Sequence, residues 1–289
     1  MRRRRRETSL GCWGGLLVKF SVLMSVYQKE NPDFLRKSLN SVLIEQSRKP
    51  DELVLVEDGP LTEELYQMIQ DFKETFPEMK VLPLKENVGL GEALHQGVEA
   101  CSYDWIARMD TDDIATPDRF QQQVDYIEQH PQLDVLGGNI IEFDTEPDQI
   151  VAEKQMPLSH EEIIKRLQRR NPFCHMTVFF KKSSVLKAGN YKPLPLVEDY
   201  YLWARMAAQG CRFANLNRVL VYARVGNGMH TRRSQTDQIA SWKVVNTFLL
   251  SHGMLNRGQY YQNMLMIRAF VGTPIWIKAF IYKYLLRRK

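Results

Sequence analysis

The stretch FSVLMSVYQKENPDFLRKSLNSVLIEQ, residues 20–46, decides the fold class. It begins with Phe20–Tyr27, an apolar run that is typical of a buried strand. Asn31 and Pro32 then supply an N-cap and a first-turn proline, so we predict a helix that ends near Gln46. A buried strand followed at once by a helix indicates a βαβ unit in a parallel sheet.

The same alternation continues to about residue 143. The further predicted strands are Glu52–Glu57, Val81–Leu84, Trp105–Met109 and Leu133–Asp144, and the helices are Thr62–Phe76, Gly89–Ala100 and Pro117–His130. This order predicts an α/β fold whose mainly parallel sheet is flanked by helices on both faces. In such folds ligands bind beyond the carboxyl ends of the strands.

The second half of the chain is less regular and predicts an α+β extension that shares a site with the first half. Its predicted elements are a helix at 159–169, a strand at Thr177–Phe180, a helix at Val197–Gln209, a strand at Phe213–Tyr222 and helices beyond Gln235. We therefore expect a basic tail over residues 1–18, one domain over 19–235 with halves at 19–143 and 144–235, and a helical C-terminal region over 236–289.

Composition excludes several classes of protein. The chain has 289 residues, 44% of them hydrophobic, which is incompatible with a disordered chain. Its four cysteines form no CxxC pair and no zinc-like spacing, which favours a reducing compartment. The formal charge of +5 resides in the two tails, and the body between them is mildly acidic, which argues against nucleic-acid binding.

The N-terminus has some features of a signal peptide, since five arginines, Arg2–Arg6, precede an apolar stretch that begins at Leu10. Lys19 interrupts that stretch and no clean cleavage site follows, so we interpret residues 1–18 as a tail or an overlong start. No run of apolar residues is long enough to predict a transmembrane helix.

Carboxylates follow the predicted strands where the fold places ligands. Asp110, Asp112 and Asp113 come directly after Trp105–Met109. Such hard oxygen ligands suit Mg²⁺ or Mn²⁺ shared with a phosphate. The alternative is a solvated acidic turn before the next helix.

Two further loops carry polar residues at the same edge. Asp58 and Gly59 follow the second strand. A carboxylate there can accept a hydrogen bond from a nucleobase and a glycine lets the base approach the backbone, although an Asp-Gly-Pro turn is the simpler interpretation. Asn87 and Gly89 open the next helix. The loop after the first strand contains no glycine, which disfavours a dinucleotide-binding site.

In the second half, Glu198 and Asp199 start a predicted helix. The structural interpretation is that the helix dipole stabilises both carboxylates in the ionised form. The functional interpretation is that one carboxylate, partly desolvated beside aromatic residues, serves as a general base for a hydroxyl.

Together these residues resemble the family 2 glycosyltransferases, which have the nucleotide-diphospho-sugar transferase fold called GT-A. The matching motifs, in the family's order, are Ser25-Val26-Tyr27, Val56-Glu57-Asp58-Gly59, Asn87 with Gly89, Asp110–Asp113 with Pro117–Arg119, and Glu198-Asp199. The segment Asn171-Pro172 with His175 and Thr177 is similar to one in bacterial capsule and exopolysaccharide transferases, including amylovoran-type enzymes. Glu57 departs from the aspartate that many members have.

The resemblance implies inverting transfer of one sugar from a nucleotide-diphosphate sugar, expected to be a UDP-sugar, to a glycan hydroxyl. It implies that Tyr27, Asp58 and Asn87 bind the nucleotide-sugar and that Asp110, Asp112 and Asp113 contact the diphosphate through Mn²⁺ or Mg²⁺. It also implies Asp199 as the base, with Glu198 assisting by position. His175 and Arg232 are further candidate contacts, against the alternatives of a core histidine and a solvated basic loop.

Two other functions stay open at this point. A sugar nucleotidyltransferase has the same sheet but needs a glycine-rich first loop, and a scaffold with a decayed site would be non-catalytic. The aromatic and basic residues of 274–289 suit a helix at an anionic lipid surface, where a lipid-linked acceptor would be found, or a helix that docks on a partner. We therefore expect the protein in the cytoplasm, at the inner face of the membrane.

Overall fold

The first half of the chain forms the predicted alternation of strands and helices. The structure, a computed structural model, describes residues 18–225 and 237–273. The elements in this half are β1 Phe20–Val26, α1 Pro32–Leu43, β2 Glu52–Glu57, α2 Glu63–Thr75, β3 Met79–Pro83, α3 Leu90–Ala100 and β4 Trp105–Arg108. The Asn31 side chain accepts from the backbone N–H groups of Asp33 and Phe34, which confirms the predicted cap.

Helix α1 ends three residues before the predicted Gln46. Gln46 lies beyond the end of the helix, and its Nε2 donates to the carbonyl oxygens of Ser41 and Thr116, both at 2.7 Å. Its Oε1 accepts from the Phe120 backbone N–H at 3.2 Å. Gln46 therefore connects the end of α1 to the start of the helix that begins at Arg119, a tertiary contact that the local sequence pattern does not indicate.

The chain after β4 contains more elements than the sequence predicts. They are β5 Ile114–Ala115, α4 Arg119–Gln129, β6 Val135–Phe143, β7 Ile150–Lys154, α5 His160–Leu167, β8 Phe179–Lys181, α6 Lys182–Lys187, α7 Glu198–Ala208, β9 Phe213–Arg224, α8 Asp237–Ser251 and α9 Arg257–Gly272. Strands β5 and β7 and helix α6 were not predicted. The strand predicted at Thr177–Phe180 starts later, because His175–Thr177 forms a 3₁₀ turn.

All nine strands of the described residues form one mixed sheet. The order is β3-β2-β1-β4-β8-β6-β9-β5, and β7 pairs with β6. Strands β1 to β4 are parallel, and so are β6 and β9, but β5, β7 and β8 pair antiparallel with their neighbours. The predicted α/β sheet with flanking helices is confirmed, with parallel pairing among β1 to β4 and mixed pairing in the part of the sheet that contains β5 to β9. Strand β7 follows β6 through a short loop, which suffices only for antiparallel pairing.

The core lies on both faces of the sheet. In β1, Val22 and Met24 face the cluster that includes α1, while Leu23 faces the cluster that includes α3 and α7. All three side chains are fully buried, which is why β1 is a continuous apolar run without alternation. This arrangement fixes the central strands and brings the carboxyl ends of β1, β2 and β4 to one edge.

Some predicted features lie outside the described residues. These are most of the predicted 1–18 tail, Arg232, and the segment 274–289. Within residues 18–225 and 237–273, no helix combines the length and the hydropathy that crossing a membrane requires.

Candidate active site

A cavity of about 580 Å³ opens at the carboxyl ends of β1, β2 and β4. Its lining includes Tyr27, Glu30, Asp58, Asn87, Asp110, Thr111, Asp112, Asp113, Ile140, Glu142, Lys154, Met176 and Arg224. The structure thus brings together six of the residues singled out in the sequence, from Tyr27 to Asp113. Glu198, Asp199 and His175 do not line this cavity.

Asp58 joins the second and third of these loops. Its Oδ1 accepts from the backbone N–H of Val88 at 2.7 Å, and its Oδ2 accepts from Gly89 N and from Asn87 Nδ2, both at 3.1 Å. The carboxylate therefore satisfies donors at the start of α3. Its oxygens have further lone pairs, so Asp58 keeps the capacity to accept from a ligand.

Gly59 is required by a close backbone approach. Its φ is +84°, and a Cβ at this position would lie 2.5 Å from the backbone nitrogen of Asn87. The sequence suggested that Gly59 leaves room for a nucleobase, whereas the space beside it is occupied by the Asn87 loop. The Gly59 turn and the loop that carries Asn87 are therefore packed directly against each other.

The residues Asp110–Asp113 form a turn that is attached to the end of β9. Asp113 is buried, and its Oδ1 accepts from the Arg224 backbone N–H at 2.8 Å. The Arg224 Nε donates to the Asp112 carbonyl at 3.2 Å. The Arg224 guanidinium also lies 3.8 Å from the centre of the Phe34 ring, so β9 and α1 together hold the turn in place.

Burial and neighbouring carboxylates raise the pKa of two acidic residues in this turn. Burial, Asp110 and Glu30 raise the pKa of Asp112 to about 7. Burial, followed by Asp112 and Asp110, raises the pKa of Asp113 well above its ordinary value, and Asp113 Oδ2 has no hydrogen-bond partner. The turn therefore concentrates more negative charge than its surroundings neutralise. Even so, no three potential metal ligands of the described residues converge on one point.

Arg108, the last residue of β4, is a site residue that sequence reasoning missed. Its side chain is almost fully buried, and its Nη2 lies 2.5 Å from Asp110 Oδ1. Its Nε and Nη1 have no hydrogen-bond partner. An arginine at the end of an otherwise apolar strand, two residues before an aspartate, was the signal that could have identified it.

The positive charge of Arg108 influences the pKa values of two groups of carboxylates. Burial raises the pKa of Asp112 and Asp113 in the turn and of Glu198 and Asp199 in α7, and Arg108 opposes this increase in each. Asp110 in turn contributes to raising the pKa of Glu198. The turn and the start of α7 are therefore parts of one electrostatic site.

Asp199 lies buried at the first turn of α7. Its Oδ2 accepts from Asn171 Nδ2 at 2.5 Å, and its Oδ1 accepts from the Tyr200 backbone N–H at 2.7 Å. Burial raises the pKa of Asp199, and burial together with Asp199 raises the pKa of Glu198 to about 7. The interpretation based on the helix dipole leaves out desolvation, which is the largest influence on the pKa of both carboxyl groups and raises it.

Asn171 is the second residue that the sequence did not assign in full. It was noted as part of an Asn-Pro segment, and the structure adds that it is the side-chain donor to Asp199. Its own Oδ1 accepts from the Phe173 backbone N–H at 3.1 Å, which fixes the side chain. A rigid donor of this kind orients a carboxylate and favours its ionised form.

His175 lies away from the cavity lining. Its Nε2 is 2.8 Å from the Tyr191 hydroxyl, and its ring packs near Trp203. Burial, assisted by Arg108, holds the pKa of His175 well below its usual value, so the imidazole is neutral. The structure therefore shows His175 in an aromatic cluster with Tyr191 and Trp203 rather than among the loops that line the cavity.

Comparison with known proteins identifies the family. Residues 21–189, more than half of the chain, match the family described as Glycosyl transferase family 2. The chain is a family 2 glycosyltransferase. The resemblance inferred from the five motifs is thereby confirmed, as is the enzymatic class.

Several bacterial relatives match this glycosyltransferase over most of its length. An uncharacterized glycosyltransferase of Haemophilus influenzae is 51% identical over 78% of this chain and 84% of its own. The amylovoran biosynthesis glycosyltransferase AmsE of Erwinia amylovora is 38% identical over 91% and 98%. The UDP-Gal:alpha-D-GlcNAc-diphosphoundecaprenol beta-1,3-galactosyltransferase of Escherichia coli is 32% identical over 93% and 97%.

Solved structures confirm the GT-A fold of this glycosyltransferase. S. aureus TarS residues 1–349 in complex with UDP-GlcNAc matches with a TM-score of 0.67 at 18% identity, covering 93% of this chain and 77% of that one. The Pyrobaculum calidifontis mannosyltransferase PcManGT, in complex with GDP-Man and Mn²⁺, matches with a TM-score of 0.59 at 15% identity over 93% and 80%.

Proposed function

We propose that this glycosyltransferase moves one sugar from a UDP-sugar to a hydroxyl of a lipid-linked glycan acceptor in bacterial surface polysaccharide biosynthesis. The observation that carries the proposal is the carboxylate-lined cavity at the carboxyl ends of β1, β2 and β4, where α/β sheets bind nucleotides. The names of the Erwinia amylovora and Escherichia coli relatives support the pathway, the donor and the acceptor. The UDP-GlcNAc complex of TarS also supports a uridine donor.

In this proposal the nucleoside lies between the loops that follow β1, β2 and β3. Tyr27 lines the cavity and supplies a ring for contact with the base. Asp58 and Asn87 are already positioned by their mutual hydrogen bond, so little ordering is needed when a nucleotide binds.

The Asp110–Asp113 turn fits a divalent cation. The raised pKa values of Asp112 and Asp113, the neighbouring Asp110 carboxylate and the unpartnered Asp113 Oδ2 support a surplus of hard oxygen ligands at this turn. Asp110, Asp112 and Asp113 would hold Mn²⁺ or Mg²⁺, which when bound would neutralise charge on the departing diphosphate. Such ions commonly use one or two carboxylates together with substrate phosphates, so a closed three-ligand group is not required.

Asp199 is proposed as the general base. It would accept the proton of the acceptor hydroxyl while that oxygen bonds to the anomeric carbon and the bond from this carbon to the diphosphate breaks. A single displacement of this kind inverts the anomeric configuration. Asn171 holds the Asp199 carboxylate in position, and the raised pKa of Asp199 makes it a stronger base than an ordinary aspartate. Glu198 contributes by position.

Other assignments stay as predictions. His175 would support the acceptor half, which we place at residues 144–235, through Tyr191 and the aromatic cluster. Arg232 would approach the diphosphate from outside the described residues. We also propose that the enzyme works in the cytoplasm at the membrane surface, with residues 274–289 contributing to that contact.

The proposal is tested by measuring release of UDP or GDP from a panel of nucleotide-sugars with Mn²⁺ or Mg²⁺ and a lipid-linked acceptor. We expect UDP release that depends on metal and acceptor, and loss of metal-dependent UDP binding in Asp112→Ala. Release of pyrophosphate from a sugar phosphate and UTP would instead indicate a nucleotidyltransferase. Metal-independent UDP binding that Asp112→Ala leaves unchanged would contradict the proposed diphosphate site.

A further inference from the structure

Helix α9, Arg257–Gly272, packs on the protein with one side only. On that side Asn263 and Met264 are buried. The Asn263 Nδ2 donates to the Gln168 carbonyl at 2.7 Å and to Asn246 Oδ1 at 2.9 Å. These bonds between uncharged buried groups set the rotation of α9 about its own axis, and so determine which residues face away from the body.

The outward side of α9 is apolar. Tyr261 and Leu265 are each 70% exposed, and Met266 is 48% exposed. Residues four apart lie one above the other on a helix, so Tyr261 and Leu265 form a continuous strip with Met266 beside them. We call these three residues the α9 outer face. Tyr261 and Leu265 are the most exposed large hydrophobic side chains of the described residues.

The C-terminal region of the chain, which contains this face, has a strong positive charge. From Gln238 to Lys289 the sequence has no aspartate or glutamate, and it has eight lysines and arginines. Two of them, Arg257 and Arg268, lie on α9 itself. Apolar residues combined with unopposed basic residues are the features by which a helix binds an anionic lipid surface.

We propose that the α9 outer face docks the enzyme on an anionic membrane, with its apolar side chains in the headgroup region and the basic residues against acidic lipids. A second copy of the chain is the less favourable occupant, because pairing two such regions brings like charges together. The segment 274–289 carries five of the eight basic residues, so like charge makes it a less favourable occupant for the same reason. The proposal does not depend on the sugar transferred, since membrane binding is measured without substrate.

The test is flotation of the full chain with vesicles of phosphatidylcholine alone or of an equimolar mixture with phosphatidylglycerol. We expect binding to the mixed vesicles that weakens as salt is added. The double variant Tyr261→Gln/Leu265→Gln should lower the partition coefficient by roughly tenfold or more, because two large side chains no longer leave water. The matched control is Ile150→Gln, which removes a 60% exposed apolar side chain on β7 and should bind as the wild type does.

Three results would overturn the proposal. The first is equal vesicle binding by the double variant and the wild type. The second is a stable dimer of the wild type that the double variant converts to a monomer. The third comes from an environment-sensitive fluorophore on Leu265→Cys in a Cys12→Ser background. We expect its emission to shift to the blue only when mixed vesicles are added, and a probe already shielded without vesicles would show that protein covers the face. Melting curves of each variant confirm that it is folded.

Discussion

Replacing Asn171 with alanine removes the side-chain N–H group that donates to Asp199 Oδ2. The Asp199 carboxylate is buried, so no bulk water replaces the lost donor freely. Loss of this hydrogen bond destabilises the ionised form of Asp199 more than the protonated form, because the Asn171 N–H group donates to the charged carboxylate. We therefore expect the pKa of Asp199, already raised by burial, to increase further.

The size of the shift follows from the strength of that bond. A hydrogen bond to a charged group contributes about 1.5–3 kcal/mol, and one pKa unit corresponds to about 1.4 kcal/mol. The expected increase in the pKa of Asp199 is therefore roughly one to two units. Because the base must be ionised to accept a proton, the rising limb of kcat against pH should move to higher pH by the same amount.

Stability should respond with a defined sign. A carboxyl group whose pKa is higher in the folded protein binds more protons there than in the unfolded chain, so the free energy of unfolding falls as pH rises. Asn171→Ala should therefore lower the melting temperature more at about pH 8 than at about pH 5.

The assay is a pH–rate profile of sugar transfer, with melting curves over the same pH range. Asn171→Asp is a useful companion, because it keeps the acceptor for the Phe173 N–H and places a second carboxylate beside Asp199, so it should move the limb further. Asn263→Ala removes a buried asparagine whose side chain bonds to Gln168 and Asn246 rather than to Asp199, and it should lower stability without moving the limb. An Asn171→Ala limb that coincides with that of the wild type would refute the assignment of Asn171 and Asp199.

Two further substitutions, measured by thermal and urea unfolding, test residues that hold the site in position. Arg108→Met should lower stability by about 3 kcal/mol, the lower end for breaking a buried ion pair, because Asp110 stays partly exposed. A decrease in the free energy of unfolding of less than about 1 kcal/mol would contradict the role of Arg108 in stabilising the site. Gly59→Ala should lower the free energy of unfolding by about 1–2 kcal/mol because of its positive φ, and by more because the new Cβ would clash with Asn87. The same variant should weaken UDP binding. Gly210→Ala, with a φ of +79° and open space around it, is the control, and equal losses in the two variants would count against the Asn87 contact.

The sequence was informative wherever local chemistry determines local structure. The N-cap at Asn31 and the runs of β1 and β2, which are buried on both faces of the sheet, identified the first half of the sheet. The position of Asp58 and Asp110 after their strands was enough to predict that they share one edge. Parallel strands place their carboxyl ends together whatever the details of packing.

The remaining features depend on contacts between residues far apart in the chain. Asn171 and Asp199 are separated by 28 positions, and neither residue type alone indicates the bond between them. Strand β5 has two residues and exists because it pairs with Tyr222 and Val221 of β9. The pKa of Asp199 depends on how deeply α7 is buried, which the dipole argument could not include.

The central claim is that Asp199 takes the proton of the acceptor hydroxyl in a site that binds a nucleotide-sugar. The most direct test compares wild type and Asp199→Asn for UDP-sugar binding by calorimetry and for sugar transfer to a lipid-linked acceptor. The account predicts unchanged donor affinity and a fall in kcat of roughly 10²–10⁴-fold, because the amide cannot accept the proton. Transfer by Asp199→Asn at the rate of the wild type would contradict it.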